Sequence, residues 1–255
     1  MKKIAVICDT GVDHQKILKD FTTEEINTPY GLPNSKLIKG KNGSGEVILL
    51  LRHGEKQDVP SYKVNFRANL FALKKAGCTH IIASSVCNSL QEEIEPGEFM
   101  IFNQFIDHTK HLDLTFSDSL TYEELNHNAM TFPFMNELRD ALIETAVSLG
   151  ITVHTKGTVI SIDGPRFSTR AESNLFRHWN ADVVNMTTSP EAILAHELGI
   201  PFADLSLCCS FDSWRTDIQP ATRNEKLEVI RNQRDKFTDM IMNAVNKLAN
   251  QIPAE

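Results

Sequence analysis

The chain alternates short unbroken apolar runs with longer stretches in which apolar residues return every three or four positions. The runs Lys3–Cys8, 47–51, 81–83, 100–106, 183–186 and 202–208 predict buried β-strands. Residues 151–159, where Ile151 and Val153 alternate with Thr152 and His154, predict another. Two apolar runs, 36–39 and 47–51, flank Gly40-Lys41-Asn42-Gly43-Ser44-Gly45, which reads as a β-hairpin. Helical spacing predicts helices over 64–76, 134–149, 171–179 and 190–198, with Gly77, Gly150 and Gly199 closing three of them. A last amphipathic helix is expected over about 222–249, with Leu227, Ile230, Phe237, Ile241, Ala244, Val245 and Leu248 on one side. Strands alternating with helices place the chain in the α/β class with a mainly parallel or mixed sheet. No linker divides it, so residues 1–255 read as a single domain. The longest aperiodic segment, 109–124, is expected to be a functional or mobile loop.

Composition narrows the function. A formal charge of −7 argues against a non-specific nucleic-acid binder. It leaves room for an anionic small substrate, because a local Arg and His cluster overrides a mildly negative surface at short range. No apolar stretch reaches the ~18 residues of a membrane span, so no membrane partner is expected. The first residues have two lysines and then five uncharged positions before Asp9, which reads as a first strand rather than a leader. The five cysteines show no CxxC spacing, so free thiols and a cytoplasmic location are expected. Glycine is scarce: 12 residues, where average usage would supply roughly 18. That shortage argues against glycine-rich phosphate loops.

Four segments stand where strands should end. Cys8-Asp9-Thr10-Gly11 offers a hydroxyl and backbone N–H groups to an anion, or is an ordinary turn capping the next helix. Arg52-His53-Gly54 offers a guanidinium fork suited to phosphate, or a solvated strand end. Ser84-Ser85-Val86-Cys87-Asn88-Ser89 reads as a hydroxyl-rich turn after a buried strand, or a plain Ser/Thr turn. Asp163-Gly164-Pro165-Arg166-Phe167-Ser168-Thr169-Arg170-Ala171-Glu172-Ser173 joins a strand to a helix, with Phe167 able to stack on a planar ring and Ser168 to hydrogen-bond it. There is no GxSxG, HExxH or Walker loop. His108 and His111 lack a third ligand nearby and read as loop histidines, not a metal site. Positioning and charge stabilisation, as in transfer to phosphate, fit better than covalent catalysis.

Five passages together carry a resemblance: Thr10-Gly11-Val12-Asp13; Thr28-Pro29-Tyr30-Gly31; Arg52-His53-Gly54 with Lys63-Val64-Asn65-Phe66-Arg67-Ala68-Asn69; Gly164 through Glu172; and Asp182-Val183-Val184-Asn185-Met186-Thr187-Thr188. In order and spacing, over about 3–214, the chain resembles the 5′-methylthioadenosine phosphorylases of the trimeric purine nucleoside phosphorylase family. The resemblance implies an α/β domain around a mixed, partly barrel-like sheet, assembled as a homotrimer. It implies a pentosyltransferase that breaks an N-glycosidic bond with inorganic phosphate as co-substrate and needs no resident cofactor. Carried over by position, phosphate would meet Thr10, Arg52, His53, Ser85, the Val86 N–H and Thr187. Met186 would lie beneath the ribose, Phe167 and Ser168 would border the base, and His127 would reach a neighbouring subunit's 5′ pocket.

Three departures lie in the same regions. The family's Asp-x-Asp near the last strand reads Ser210-Phe211-Asp212 here, leaving Asp212, or Ser210 through a water, as the group serving purine N7. Cys8-Asp9 replaces Gly-Gly before Thr10, and Asn88 replaces a glycine. Serine at 210 matches neither the Asp of the methylthioadenosine enzymes nor the Asn typical of 6-oxopurine enzymes. An inosine- or guanosine-type phosphorylase and a purine-binding homologue with little turnover therefore stand as alternatives.

Overall fold

The computed structural model describes residues 2–43, 45–118, 127 and 129–250. Its elements are β1 (Lys3–Cys8), α1 (His14–Ile17), β2 (Lys19–Glu24), β3 (Leu37–Asn42), β4 (Gly45–Leu51), α2 (Phe66–Lys75), β5 (His80–Ser89), β6 (Phe99–Ile101), β7 (Gln104–His108), α3 (Asn136–Leu149), β8 (Val153–His154), β9 (Thr158–Ile162), α4 (Arg170–His178), β10 (Val183–Asn185), α5 (Thr188–Glu197), β11 (Phe202–Phe211) and α6 (Arg223–Asn250).

All the strands join one mixed sheet, in the order β2-β3-β4-β1-β5-β10-β9-β7, with β11, β6 and β8 branching from β5. Strand β5 is the fork. Its first half pairs parallel with β1, its last residues pair antiparallel with β10, and β11 runs parallel along its length. The α/β class and mixed sheet are those expected.

Helices cover both faces because the strands are apolar on both. Ile4, Val6 and Cys8 of β1 face the cluster built with α3 and α6, and Ala5 and Ile7 face the one built with α2 and α5. Successive β-residues point to opposite faces, so a continuous apolar run needs cover on each side. The hairpin forms with Asn42 opposite Gly45.

Strand β2 is not among those expected, several strand ends shift by a few residues, and three runs differ more substantially. The run 100–106 splits into β6, between β11 and β8, and β7, at the end of the main path; 151–159 splits into β8, at the end of the branch, and β9, between β10 and β7. More consequential is 84–89, read from sequence as a turn: it continues β5. Its hydroxyls are absorbed inside, Ser84 Oγ donating to Ile7 O and Ser89 Oγ to Gln91 O. Polar side chains persist in a buried strand when each finds a partner. The expected loop 109–124 lies partly outside the described residues. Among the described residues no helix is long and apolar enough to cross a membrane.

Candidate active site

Strands β1, β4, β5 and β11 run parallel in part and end together, so the residues just after them meet. There a cavity of about 370 Å³ is lined by Thr10, His53, Val86, Phe167, Ser168, Met186 and Thr187. Seven of the twelve expected site residues thus share one space. A second chamber of about 480 Å³ holds Ser210 and Asp212, and the two share Asn88, Phe167, Cys209 and Lys226. A larger depression of about 890 Å³, edged by Lys3, Lys16, Lys39 and Lys41, gathers none of them.

Local structure explains each position. Thr187 stands at the N-cap of α5, immediately after β10, where Met186 also projects. Ser61 Oγ donates to Met186 Sδ at 3.2 Å. The Asp163–Ser173 turn reaches this close because of Gly164: a Cβ there would stand 2.8 Å from Met186 Sδ and 2.5 Å from Ser61 Oγ. The turn ends in a capping box on α4, Thr169 accepting from the Glu172 N–H and Glu172 from the Thr169 N–H. Arg166 pairs with Glu172, which fixes the turn and leaves Phe167 presented to the cavity. In β11 the register slips between Cys208 and Ser210, a bulge that turns Cys209 toward the cavities. It also places Ser210 opposite Asn88, and Ser210 Oγ donates to Asn88 Oδ1 at 2.8 Å.

Arg52 and Ser85, expected at phosphate, do not line the cavity. Arg52 is wholly buried. Its Nε and Nη2 donate to Glu191 at 2.6 and 2.8 Å, and its Nη1 donates to Asp9 Oδ2 and Ser84 O, both at 2.7 Å. The guanidinium is consumed as a bidentate partner of a buried carboxylate, which costs far more to leave bare than an exposed one. The Ser85 hydroxyl likewise turns away, donating to Asp204 at 3.0 Å, because that carboxylate is fully buried and needs donors. Thr188 also donates to Asp204. Burial pushes Asp204 up to about 7, although Thr188, Arg52 and Ser85 oppose it. His127 is exposed and lines neither chamber.

Asp9 is the residue that sequence reasoning left unplaced. It lines the cavity, is 4% exposed, and accepts hydrogen bonds from two groups expected to serve phosphate, with a third, His53, close by. Its Oδ1 accepts the Thr10 N–H at 2.6 Å, its Oδ2 accepts Arg52 Nη1, and His53 Nε2 lies 3.6 Å from the same oxygen. Burial alone would push its pKa up, but His53 and Arg52 outweigh burial and hold the carboxyl far below its usual range. Burial in turn lowers His53, and the Asp9 charge overcomes this, leaving the imidazole raised. His53 Nδ1 meets Val59 O at 2.7 Å, so the Nε2 edge faces Asp9.

The base end has its own electrostatics. Burial raises Asp212, with Ser173 and Ser168 opposing. Asp212 Oδ2 and Ser168 Oγ make no well-formed hydrogen bond among the described residues. Lys226 Nζ sits 3.7 Å from the Phe167 ring centroid and 3.5 Å from Asn88 Oδ1, and burial lowers it. Lys226 was missed although a signal exists: it shares a helical row with the buried Ile230 four residues on, a cation on an apolar stripe. Among the described residues no cluster of His, Cys, Asp or Glu could hold a metal ion.

Residues 3–246 match the model of the phosphorylase superfamily. The chain is 43% identical over 248 residues to the S-methyl-5′-thioadenosine phosphorylase of Anopheles gambiae, covering 97% of this chain and 89% of that one. It is 38% identical over 248 residues to the Danio rerio enzyme of the same name, covering 96% and 89%. The solved structure of Schistosoma mansoni methylthioadenosine phosphorylase with adenine superposes with a TM-score of 0.92 at 33% identity, covering 99% of this chain and 93% of that one. A substituted form of that enzyme, solved with methylthioadenosine, superposes at 0.91 and 33% identity, covering 99% and 93%. The chain belongs to the phosphorylase superfamily, in the family of the S-methyl-5′-thioadenosine phosphorylases.

Proposed function

We propose that this chain cleaves 5′-methylthioadenosine with inorganic phosphate, giving free adenine and 5-methylthioribose 1-phosphate. The observation that carries the reading is the paired cavity: Thr10, His53 and Thr187 at an anion-binding end, Phe167 and Asp212 at a planar-base end, and Met186 between. Phosphate enters at the Thr10, His53 and Thr187 end. Its oxygen bonds to C1′ as the N9–C1′ bond breaks, and the released electron pair passes into the purine. The transition state has oxocarbenium character, so a nearby anion lowers its energy and a proton or hydrogen bond at N7 helps the base depart. Asp212, a buried carboxyl lining the base-end chamber, is the group we assign to N7. Ser210, bound to Asn88, positions that corner of the chamber. The Val86 N–H belongs to the anion end, while Arg52 and Ser85 act from behind through Asp9 and Asp204.

A second reading, phosphorolysis of inosine- or guanosine-type nucleosides, is favoured by Lys226. An ammonium group offers three donors and no acceptor, which suits a 6-oxo group rather than a 6-amino group. We also propose a homotrimer in which His127 lies near the neighbouring subunit's 5′ substituent, and no resident cofactor. The test is kcat/KM for methylthioadenosine, adenosine and inosine with and without phosphate, with the sugar product identified. Preference for methylthioadenosine with sugar 1-phosphate as product supports the first reading, and preference for inosine supports the second. Sedimentation at several concentrations tests the trimer.

A further inference from the structure

The anion end of the cavity already contains an anion. The Asp9 carboxylate, almost fully buried, lies where the Thr10 N–H, Arg52 Nη1 and His53 Nε2 converge. Behind it, Glu191 takes the remaining face of Arg52. The cation that would draw phosphate is thus neutralised from two sides. A phosphate dianion entering here meets the charge of Asp9 directly, whereas a neutral acceptor does not. A carboxylate has about four lone-pair sites. Two of Asp9's are taken by Thr10 and Arg52, so it can accept further donors from the cavity it lines.

We propose that Asp9 equips this site for a second reaction, hydrolysis of the same nucleoside with water as the acceptor. The inference rests on the nucleoside-cleaving reading above. Water, oriented by hydrogen-bonding to Asp9, adds through its oxygen to C1′ while the N9–C1′ bond breaks and its electron pair goes to the purine. The purine takes a proton from the base end of the cavity, which solvent restores. The oxygen newly bonded to C1′ loses a proton to solvent, leaving the free pentose. Water and nucleoside are the only reactants.

The geometry suits this chemistry in two ways. An oxocarbenium-like carbon needs a nearby negative charge, which phosphate supplies in phosphorolysis and Asp9 supplies here without a co-substrate. A weakly basic carboxylate suffices as well. The attacking water becomes strongly acidic only once its oxygen carries the new bond, so its proton need not be removed beforehand. Asp9, held ionised by Arg52 and His53, therefore acts as a fixed charge and water acceptor rather than as a strong base.

The experiment is turnover of methylthioadenosine, and of inosine in parallel, in buffer freed of phosphate by an enzymatic scavenger and enriched in 18O-water. Free base and free pentose, the latter carrying 18O, are the expected products from the unaltered chain. Asp9→Asn and Asp9→Gly are each expected to lower that phosphate-free rate at least tenfold. In the presence of phosphate, Asp9→Gly is expected to lower the KM for phosphate at least tenfold. A chain that releases base only with phosphate, giving only sugar 1-phosphate, overturns the hydrolysis proposal and leaves the phosphorolysis reading standing. Retention of the phosphate-free rate in both variants also overturns it. No turnover of either nucleoside in either buffer overturns both readings.

Discussion

Asp9 and Arg52 are neighbours because Cys8 and Leu51 are registered partners across β1 and β4, so the next residue of each strand emerges side by side. The Arg52 N–H donates to Cys8 O at 3.1 Å, and the guanidinium then reaches Asp9 Oδ2 at 2.7 Å. The contact makes Arg52 part of the scaffold and Asp9 part of the cavity wall. At ~5 Å and an effective dielectric of ~20, repulsion between two unit charges is worth roughly 3 kcal/mol. That is enough to change which acceptor the site prefers.

Arg52→Ala is expected to act first on stability. Removing one partner of a buried ion pair leaves Glu191 and Asp9 uncompensated, at a cost of about 3–5 kcal/mol. Urea unfolding should show the loss, and the KM values for nucleoside and phosphate should both rise. A phosphate-only effect with unchanged stability would put the guanidinium in the cavity instead.

Lys226→Met keeps side-chain length and removes the charge above Phe167. The lost cation–π and hydrogen-bonding contacts are worth about 1–2 kcal/mol. The KM for nucleoside should rise about 5–30-fold while that for phosphate stays within about twofold. Equal changes in both would contradict the placement of Lys226 at the base end.

Asp204→Asn should flatten the pH dependence of stability. Burial raises this carboxyl from 3.8 to about 7, so the folded chain holds its proton more tightly than the unfolded chain. The contribution is therefore fully present below the unfolded value and is lost as pH rises toward 7. Thermal melts between pH 4 and 7 should fall more steeply with rising pH for the unaltered chain than for the variant. Parallel profiles would mean Asp204 is ionised throughout.

Ser210→Asp would place a second carboxylate at the base end, beside Asn88 and within the chamber that Lys226 edges. On the methylthioadenosine reading, kcat/KM for that substrate should rise about tenfold, with inosine falling. No change would show that Ser210 does not limit turnover.

Much of the site was legible because motif positions follow strand ends. Thr10, His53 and Thr187 each sit just after an apolar run and Met186 ends one, and the topology brings those ends together. Ser85 was misread because hydroxyl-rich segments resemble turns; only the buried Asp204 across the sheet explains why this one stays in a strand. The scarcity of glycine acquires a location too. Gly11, Gly54 and Gly164 occupy close turns, while Asp9 and Asn88 stand in cavity walls where the resembling family carries glycine.

The amino-acid order by itself determined the alternation of strands and helices, the hairpin at Asn42-Gly43, the amphipathic face of the last helix and the family motifs. Those are local properties, set by periodicity, turn preference and residue type. Tertiary structure alone decided which polar groups face one another: Asp9 against Arg52 and His53, Ser85 against Asp204, Lys226 over Phe167. Such pairs span 43 residues in one case and 119 in another, and burial makes each buried charge seek its partner wherever the sheet brings one near.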